Sequence, residues 1–345
     1  MGHIGIHMRM QQTSRAVGLL VLAIISFGFR LIGAEEGYQG QKWALLEPKA
    51  VLEAAGTITT TNYPDCDEAM VEGRLVRVYR ADGTGEAQDE VYTKVLTEKG
   101  KRNNRTISLS FMLPYSTVKV ETLEVISPKG EVITVDLAAN SKESIDDSQM
   151  SMNIYDPNMR VLRVNIPRLE PGDVIHSITR TTTLRSIIPG EFAEWNVFEG
   201  GGYIRHVSYE VHAPKDKPLS RIILRDEVPG TVKYSSKPDE ADGKFHHWEA
   251  TNIPRMFQEP GMPSGEEVLQ RLIVSTTPDW PAVSKWYWEV SKPHLEATTP
   301  DMQLAVDKLV AGAKTDLDKV KSVFYDVSKS IRYMGLTPRE GPSWI

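Results

Sequence analysis

Cysteine is almost absent. Cys66 is the one cysteine in 345 residues, which excludes an intramolecular disulfide and any Cys-x-x-Cys metal or redox motif. Its setting, Tyr63-Pro64-Asp65-Cys66-Asp67, puts two carboxylates beside the thiol, and neighbouring negative charge disfavours the thiolate that a nucleophile needs. Cys66 therefore reads as structural. Runs of Lys and Arg with interleaved aromatics are missing too, and the formal net charge is -6, so nucleic acid is not an expected partner. After residue 34 no apolar run is long enough to cross a bilayer, and a mean hydropathy of -0.32 excludes a polytopic membrane protein. No internal repeat of fixed period is present. What remains is an ordinary globular composition, 40% apolar and 25% charged, in a chain long enough to bury a core without a metal or disulfide staple.

The single long apolar run, Ala16 to Phe29, follows Arg9 and Arg15 and is succeeded by Gly33-Ala34 ahead of Glu35-Glu36. A basic start, a short apolar stretch and small residues at its exit have the form of a secretory signal peptide over residues 1–34. Met8 or Met10 would give a shorter basic lead, and Ile32 fits the cleavage pattern less well. The expected location is periplasmic or extracellular. An uncleaved membrane anchor is the alternative, opposed by the shortness of the run and by Arg30 at its end. No cysteine follows closely, so a lipid anchor is not expected.

Residues 35–70 read as a lead-in with a short helix from Gln41 to Ala55. The period then changes to that of strands. Glu72 to Arg80 and Glu90 to Thr97 flank Ala81-Asp82-Gly83-Thr84-Gly85, whose Asp-Gly predicts a hairpin. Arg105 to Phe111 alternates, and Val118 to Ser127 with Glu131 to Asp136 flanks Ser127-Pro128-Lys129-Gly130, a second hairpin. Leu137 to Asn158 is polar and aperiodic, which predicts a long surface loop. Strand patterns resume at Arg160 to Ile166, Val174 to Leu184, Ile204 to His212, Leu219 to Arg225, Thr231 to Tyr234, Phe245 to Ala250 and Arg271 to Ser275. The fold class is mainly β, an antiparallel β-sandwich or pair of sandwiches over residues 70–275, followed by a short α-helical C-terminal segment over residues 276–345.

In that segment Thr277 or Asp279 can cap a first helix, with Pro281 at an early position. Thr299-Pro300-Asp301 starts a second, whose Met302, Ala305, Val306, Leu309 and Ala313 recur at helical spacing. Thr315 with Asp318 three residues on forms a capping box, and Leu317, Val320, Phe324, Val327 and Ile331 make one apolar face. That face must pack against something.

Lys314-Thr315-Asp316-Leu317 through Ile331-Arg332-Tyr333-Met334-Gly335-Leu336, preceded by Trp280 to Trp288, resembles the opening helices of bacterial transglutaminase-like domains. Tyr79 to Gly83, Ser127 to Gly130, Pro167 to Ile175 and Trp248 to Pro260 look like landmarks of the β-rich domain of unknown function that precedes such domains in bacterial envelope proteins. The resemblance implies an all-β domain followed by the start of a papain-like α+β domain. In that family a cysteine nucleophile, a histidine and an aspartate follow these helices, and the sequence reaches Ile345 before any such segment. The chain as written is thus expected to be non-catalytic, with no catalytic, cofactor-binding or metal residue assigned. Two alternatives stand beside this reading: a longer protein that is a cysteine-dependent acyl transferase or amide hydrolase, and a β-sandwich binding or assembly module for an envelope protein, peptide or glycan. The partner is left as an unknown envelope protein or peptide.

Other clusters carry less. His246 and His247 are adjacent on a strand and point to opposite faces, while His206 and His212 share a face at too great a distance to chelate one ion. Glu191, Glu194 and Glu199 around Trp195 and Phe198 suggest a carboxylate and aromatic sugar site, but such mixtures are common on exposed strands. Gly200-Gly201-Gly202 lacks the strand-to-helix context of a phosphate loop, and Asn104-Arg105-Thr106 is a short, frequent sequon. Trp286-Tyr287-Trp288 fans around a helix, so Trp280, Trp286 and Trp288 are predicted to dock the helices onto the sandwich.

Overall fold

The computed structural model describes residues 43–239, 242–332 and 334–336. The expected leader at 1–34, and the lead-in as far as Lys42, lie outside the described residues. Helix α1 (Pro48–Gly56) precedes strands β1 (Glu68–Tyr79) and β2 (Gly85–Val95). Then come α2 (Glu98–Asn103), β3 (Thr106–Met112), β4 (Ser116–Ile126), β5 (Val132–Thr134), the single turn α3 (Leu137–Asn140), β6 (Ser141–Ile145), β7 (Ile154–Tyr155), β8 (Met159–Asn165) and β9 (Val174–Thr183). The β region closes with β10 (Ala193–Val197), β11 (Tyr203–Ala213), β12 (Arg221–Arg225), β13 (Val232–Pro238), β14 (Lys244–Ile253), the turn α4 (Gly265–Val268) and β15 (Arg271–Ser275). Three helices follow, α5 (Trp280–Glu296), α6 (Pro300–Val310) and α7 (Asp316–Ser330), and then β16 (Gly335–Leu336), which pairs with β7. Among the described residues no helix is long and apolar enough to cross a membrane.

Local chemistry explains most of these boundaries. Pro48 suits a first helical position, so α1 starts there rather than at Gln41, and residues 43–47 are not helical. The first hairpin turns at Gly83, whose φ of 81° is one that an L side chain rarely adopts, while the Asp82 carboxylate accepts from the amide and hydroxyl of Thr84. Asp279, Thr299 and Thr315 cap α5, α6 and α7, and Thr315 and Asp318 complete the capping box reciprocally.

One eight-stranded sheet organises the β region, in the order β13-β14-β11-β1-β2-β9-β4-β5. Its pairs are antiparallel except β1 with β11, which run parallel. A parallel neighbour requires a long crossover rather than a hairpin, and the chain between β1 and β11 passes through both smaller sheets. Sheet β10-β15-β12 packs on the β1, β11 and β14 part of one face, where Phe198, Leu272 and Val274 meet Tyr209, Val211, Trp248 and Ala250. Sheet β3-β8-β6 packs on the β2, β9 and β4 part, through Val164 and Ile166 against Val95, Leu123, Val125 and Ile175. Register places both clusters on the same side, because Leu75 pairs with Asp89, Asp89 with Thr179 and Thr179 with Val120 along one row. The opposite face is capped by α1, whose Val51 and Ala55 join Cys66, Ala69, Val71, Tyr92 and Tyr203.

Two sequence expectations need correction. Leu137 to Asn158 is no plain loop: Ser141 to Ile145 is strand β6 and pairs with β8, its polar residues lying on an edge where no apolar alternation is required. Ala193–Val197, absent from the predicted strands, is strand β10 paired with β15. The helices carry a further finding. No described residue of α5, α6 or α7 is buried, and Leu317, Val320 and Phe324 are each more than 60% exposed.

Candidate functional site

Strand parity sets the site. Leu75, Arg77 and Tyr79 alternate on β1 and share the face that the small sheet covers, so a guanidinium is placed where its neighbours are core residues. A buried charge needs partners. Arg77 finds Asp89 of β2 at 2.5 Å and Glu194 of β10 at 2.6 Å, one carboxylate from each layer, and its guanidinium carbon lies 5.3 Å from the centre of the Tyr209 ring. Burial by itself would lower the Arg77 pKa, but the charges of Glu194 and Asp89 outweigh it and raise it further. Burial also lifts the Tyr209 hydroxyl well above the usual phenol range, with Glu194 adding to the shift. Both groups keep their protons.

Above this floor is a cleft of about 540 Å³, bounded by the β1-β2 turn, the end of β9, the segment 185–194 and α5. One wall is a ring pair, Tyr79 and Phe192, with centroids 4.3 Å apart and planes 3° from parallel. The Tyr79 hydroxyl donates to the carbonyl of Lys217 at 2.8 Å, and its burial raises its pKa. Ile187, Ile188 and Trp286 supply further apolar surface. Glu191 is tied down by Lys217 at 2.8 Å and by the Thr276 hydroxyl, which donates at 2.6 Å. Arg185 stands over the ring of Tyr115 at 5.6 Å. Among the described residues that line this cleft there is no histidine or cysteine. The cleft sets apolar walls over a floor that presents carboxylate oxygens.

The opposite face of the sheet has a second polar group with a structural role. His176 lies between Glu90 at 3.2 Å and Glu124 at 3.0 Å and stacks on Tyr92 at 4.1 Å. Burial opposes its protonation, but hydrogen bonds and charge from the two glutamates more than offset this and raise its pKa above 6.5. Glu90 also accepts from the amide of Leu46 at 2.9 Å, Arg74 donates to the carbonyl of Ala44, and Arg180 lies over Trp43 at 5.4 Å. This strip clamps residues 43–46 onto the sheet.

The residues singled out in sequence are dispersed. Glu191 and Glu194 do meet at the cleft, while Glu199 accepts from the amide of Gln270; the three form no single carboxylate site. His246 is buried beside Trp248, and burial together with Lys244 lowers its pKa to about 4. His206 bonds Glu72 and His212 bonds Asp239. Among the described residues no three His, Cys, Asp or Glu side chains are placed to hold a metal ion. Of the predicted docking tryptophans, Trp286 reaches the cleft, whereas Trp280 is 81% exposed and Trp288 55% exposed. Helical geometry points the three ways, and only one meets the β region. Arg77 and Asp89 went unremarked in the sequence, although an arginine in register with Leu75 and Tyr79 is a readable signal of a buried pair.

A family model described as "Domain of Unknown Function with solved-structure structure (DUF3857)" matches residues 81–257. No curated protein matches the sequence. Among solved structures, a "putative protease" from Parabacteroides distasonis ATCC 8503 superposes with a TM-score of 0.63 at 16% identity, over 76% of this chain and 50% of that one. That likeness is one of fold, and this chain spans half the length of that protein. The CBM3a-L domain of scaffoldin CipA from the Clostridium thermocellum cellulosome gives a TM-score of 0.21 at 12% identity, covering 35% of this chain and 69% of that one. Leukotriene A4 hydrolase from Saccharomyces cerevisiae gives 0.29 at 10% identity, covering 67% and 33%. Both are too distant in fold to bear on this one.

Proposed function

We propose, for a chain that belongs to the DUF3857 family of domains of unknown function, that its β region is the accessory module of an exported, transglutaminase-like cysteine acyl-transfer or amide-hydrolysing protein, with α5, α6 and α7 the first helices of the catalytic unit. The observation that carries this reading is the state of those helices. They are well capped, yet Leu317, Val320 and Phe324 present their side chains to solvent. An apolar helical stripe of that kind ordinarily covers another layer. The description of the Parabacteroides distasonis protein as a protease is in keeping with amide chemistry. Thiolate attack on a carbonyl, with a histidine as base, would be supplied by residues outside those described. The β region's part is to hold the helices at the cleft and to bind.

The test uses the native protein purified from its source. Its intact mass is measured, and release of ammonia or amine from glutamine and peptide amides is followed with and without iodoacetamide. Thiol-dependent turnover supports the proposal. A protein without such turnover, or with turnover that iodoacetamide leaves intact, overturns it.

A further inference from the structure

We infer that the cleft over Arg77 is a binding site for an extended peptide segment that carries a lysine flanked by apolar residues. This extends the binding role proposed above by naming the ligand. At the floor one guanidinium faces two carboxylates, and the guanidinium is the buried partner: the Arg77 side chain is 8% exposed, against 37% for Asp89 and 28% for Glu194. What the floor offers a visitor is therefore acceptor oxygens with one negative charge in excess. A lysine ammonium has three donors and no acceptor, which suits such a floor, and its four-carbon stem can lie along the stacked Tyr79 and Phe192 rings.

The entrance accounts for the flanking residues. Ile187 is 59% exposed at the cleft, and Ile188 and Trp286 stand with it, so apolar side chains on either side of the lysine would leave water there. Arg185, held over Tyr115, can donate to a main-chain carbonyl of the segment. An anionic ligand would meet the excess negative charge of Asp89 and Glu194, and a purely apolar one would cover their exposed oxygens without supplying a donor, which is costly.

The test is titration calorimetry on the full chain with acetyl-Ala-Val-Lys-Leu-Ala-amide, with the same peptide carrying norleucine or glutamate in place of lysine, and with hexylamine as a free-amine control. The lysine peptide is expected to bind about tenfold or more tightly than the norleucine and glutamate peptides and to weaken between low and high salt. Hexylamine is expected to bind more weakly than the lysine peptide. Glu194→Gln and Ile187→Ser should each reduce affinity about fivefold or more, and Ile187→Ser touches an exposed residue, so the fold stays intact. Equal binding of the norleucine peptide, equal binding of hexylamine, absence of binding up to millimolar peptide, or native affinity in both variants would overturn the inference. Binding is read without turnover, so a negative result leaves the acyl-transfer reading standing, and loss of that reading leaves a measured peptide affinity intact.

Discussion

Replacing Arg77 with methionine tests how the two layers are joined at the cleft. The guanidinium contacts Asp89 and Glu194 at 2.5 and 2.6 Å. Each charge pair is attractive by about 4 kcal/mol at 4 Å with an effective dielectric near 20, and burying an ion costs several kcal/mol. The net stabilisation from the trio is therefore small. Deleting the cation is different, because it leaves two like charges facing each other without their partner. Losses of about 3–5 kcal/mol are usual when one member of a fully buried pair is removed. Asp89 and Glu194 retain some solvent exposure and can be partly rehydrated, so we expect about 2–4 kcal/mol here. Urea unfolding at pH 7, followed by tryptophan fluorescence, measures it. Arg77→Met/Asp89→Asn/Glu194→Gln should regain most of the loss, as removal of all three charges removes the mismatch. A single-variant loss under about 1 kcal/mol, or a triple variant less stable than the single one, would refute the account.

Three further outcomes are expected. The two buried histidines give stability opposite slopes with pH. The raised pKa of His176 contributes stability that is full below pH 6.5 and is lost as the pH rises through its folded-state value, so His176→Gln should flatten the alkaline side of a pH-stability profile. His246, lowered to about 4, binds its proton in the unfolded chain first, so stability falls as the pH drops from about 6.5 to 4, and His246→Phe should remove that acid-side loss. On α7, Thr315→Ala should weaken the helix start by about 1 kcal/mol in amide exchange, whereas Phe324→Glu should leave this chain's global stability within about 0.5 kcal/mol. Gly100→Ala places a Cβ 2.0 Å from the carbonyl oxygen of Asp67. It should cost at least about 2 kcal/mol by thermal melt, while Gly312→Ala, which meets nothing within 4 Å, should be tolerated.

The β region was legible wherever alternation and turn chemistry agreed. Asp82-Gly83 located the first hairpin, and Ser127 to Gly130 the second, because both turns have a φ that glycine accommodates and a side chain or backbone group that closes them. The caps Thr299 and Thr315 were readable for the same local reason, and of the two candidates Thr277 and Asp279 it is Asp279 that caps α5. Strands β6 and β10 escaped because each is short and half exposed, and so lacks the apolar period that marks a strand. Assembly of the cleft was out of reach altogether. Arg77 and Glu194 are 117 residues apart, and nothing local to Glu194 says that its carboxylate crosses to the larger sheet. The parallel pairing of β1 with β11 was hidden likewise, since register between distant strands leaves no mark on either.

That parallel pair also governs when the protein can fold during synthesis. Strand β1 leaves the ribosome early, yet its neighbour β11 is fixed to it across contacts such as Arg205 to the carbonyl of Val71, 134 residues away in the chain. Until β11 has emerged, β1 has an open edge and its Leu75 and Tyr79 side lacks the layer of Phe198, Leu272 and Val274, whereas the β2, β9 and β4 part can already be covered by β3, β8 and β6. A topology weighted toward such distant pairings folds slowly, and at about 5–20 residues per second the nascent chain waits several seconds or more in that state.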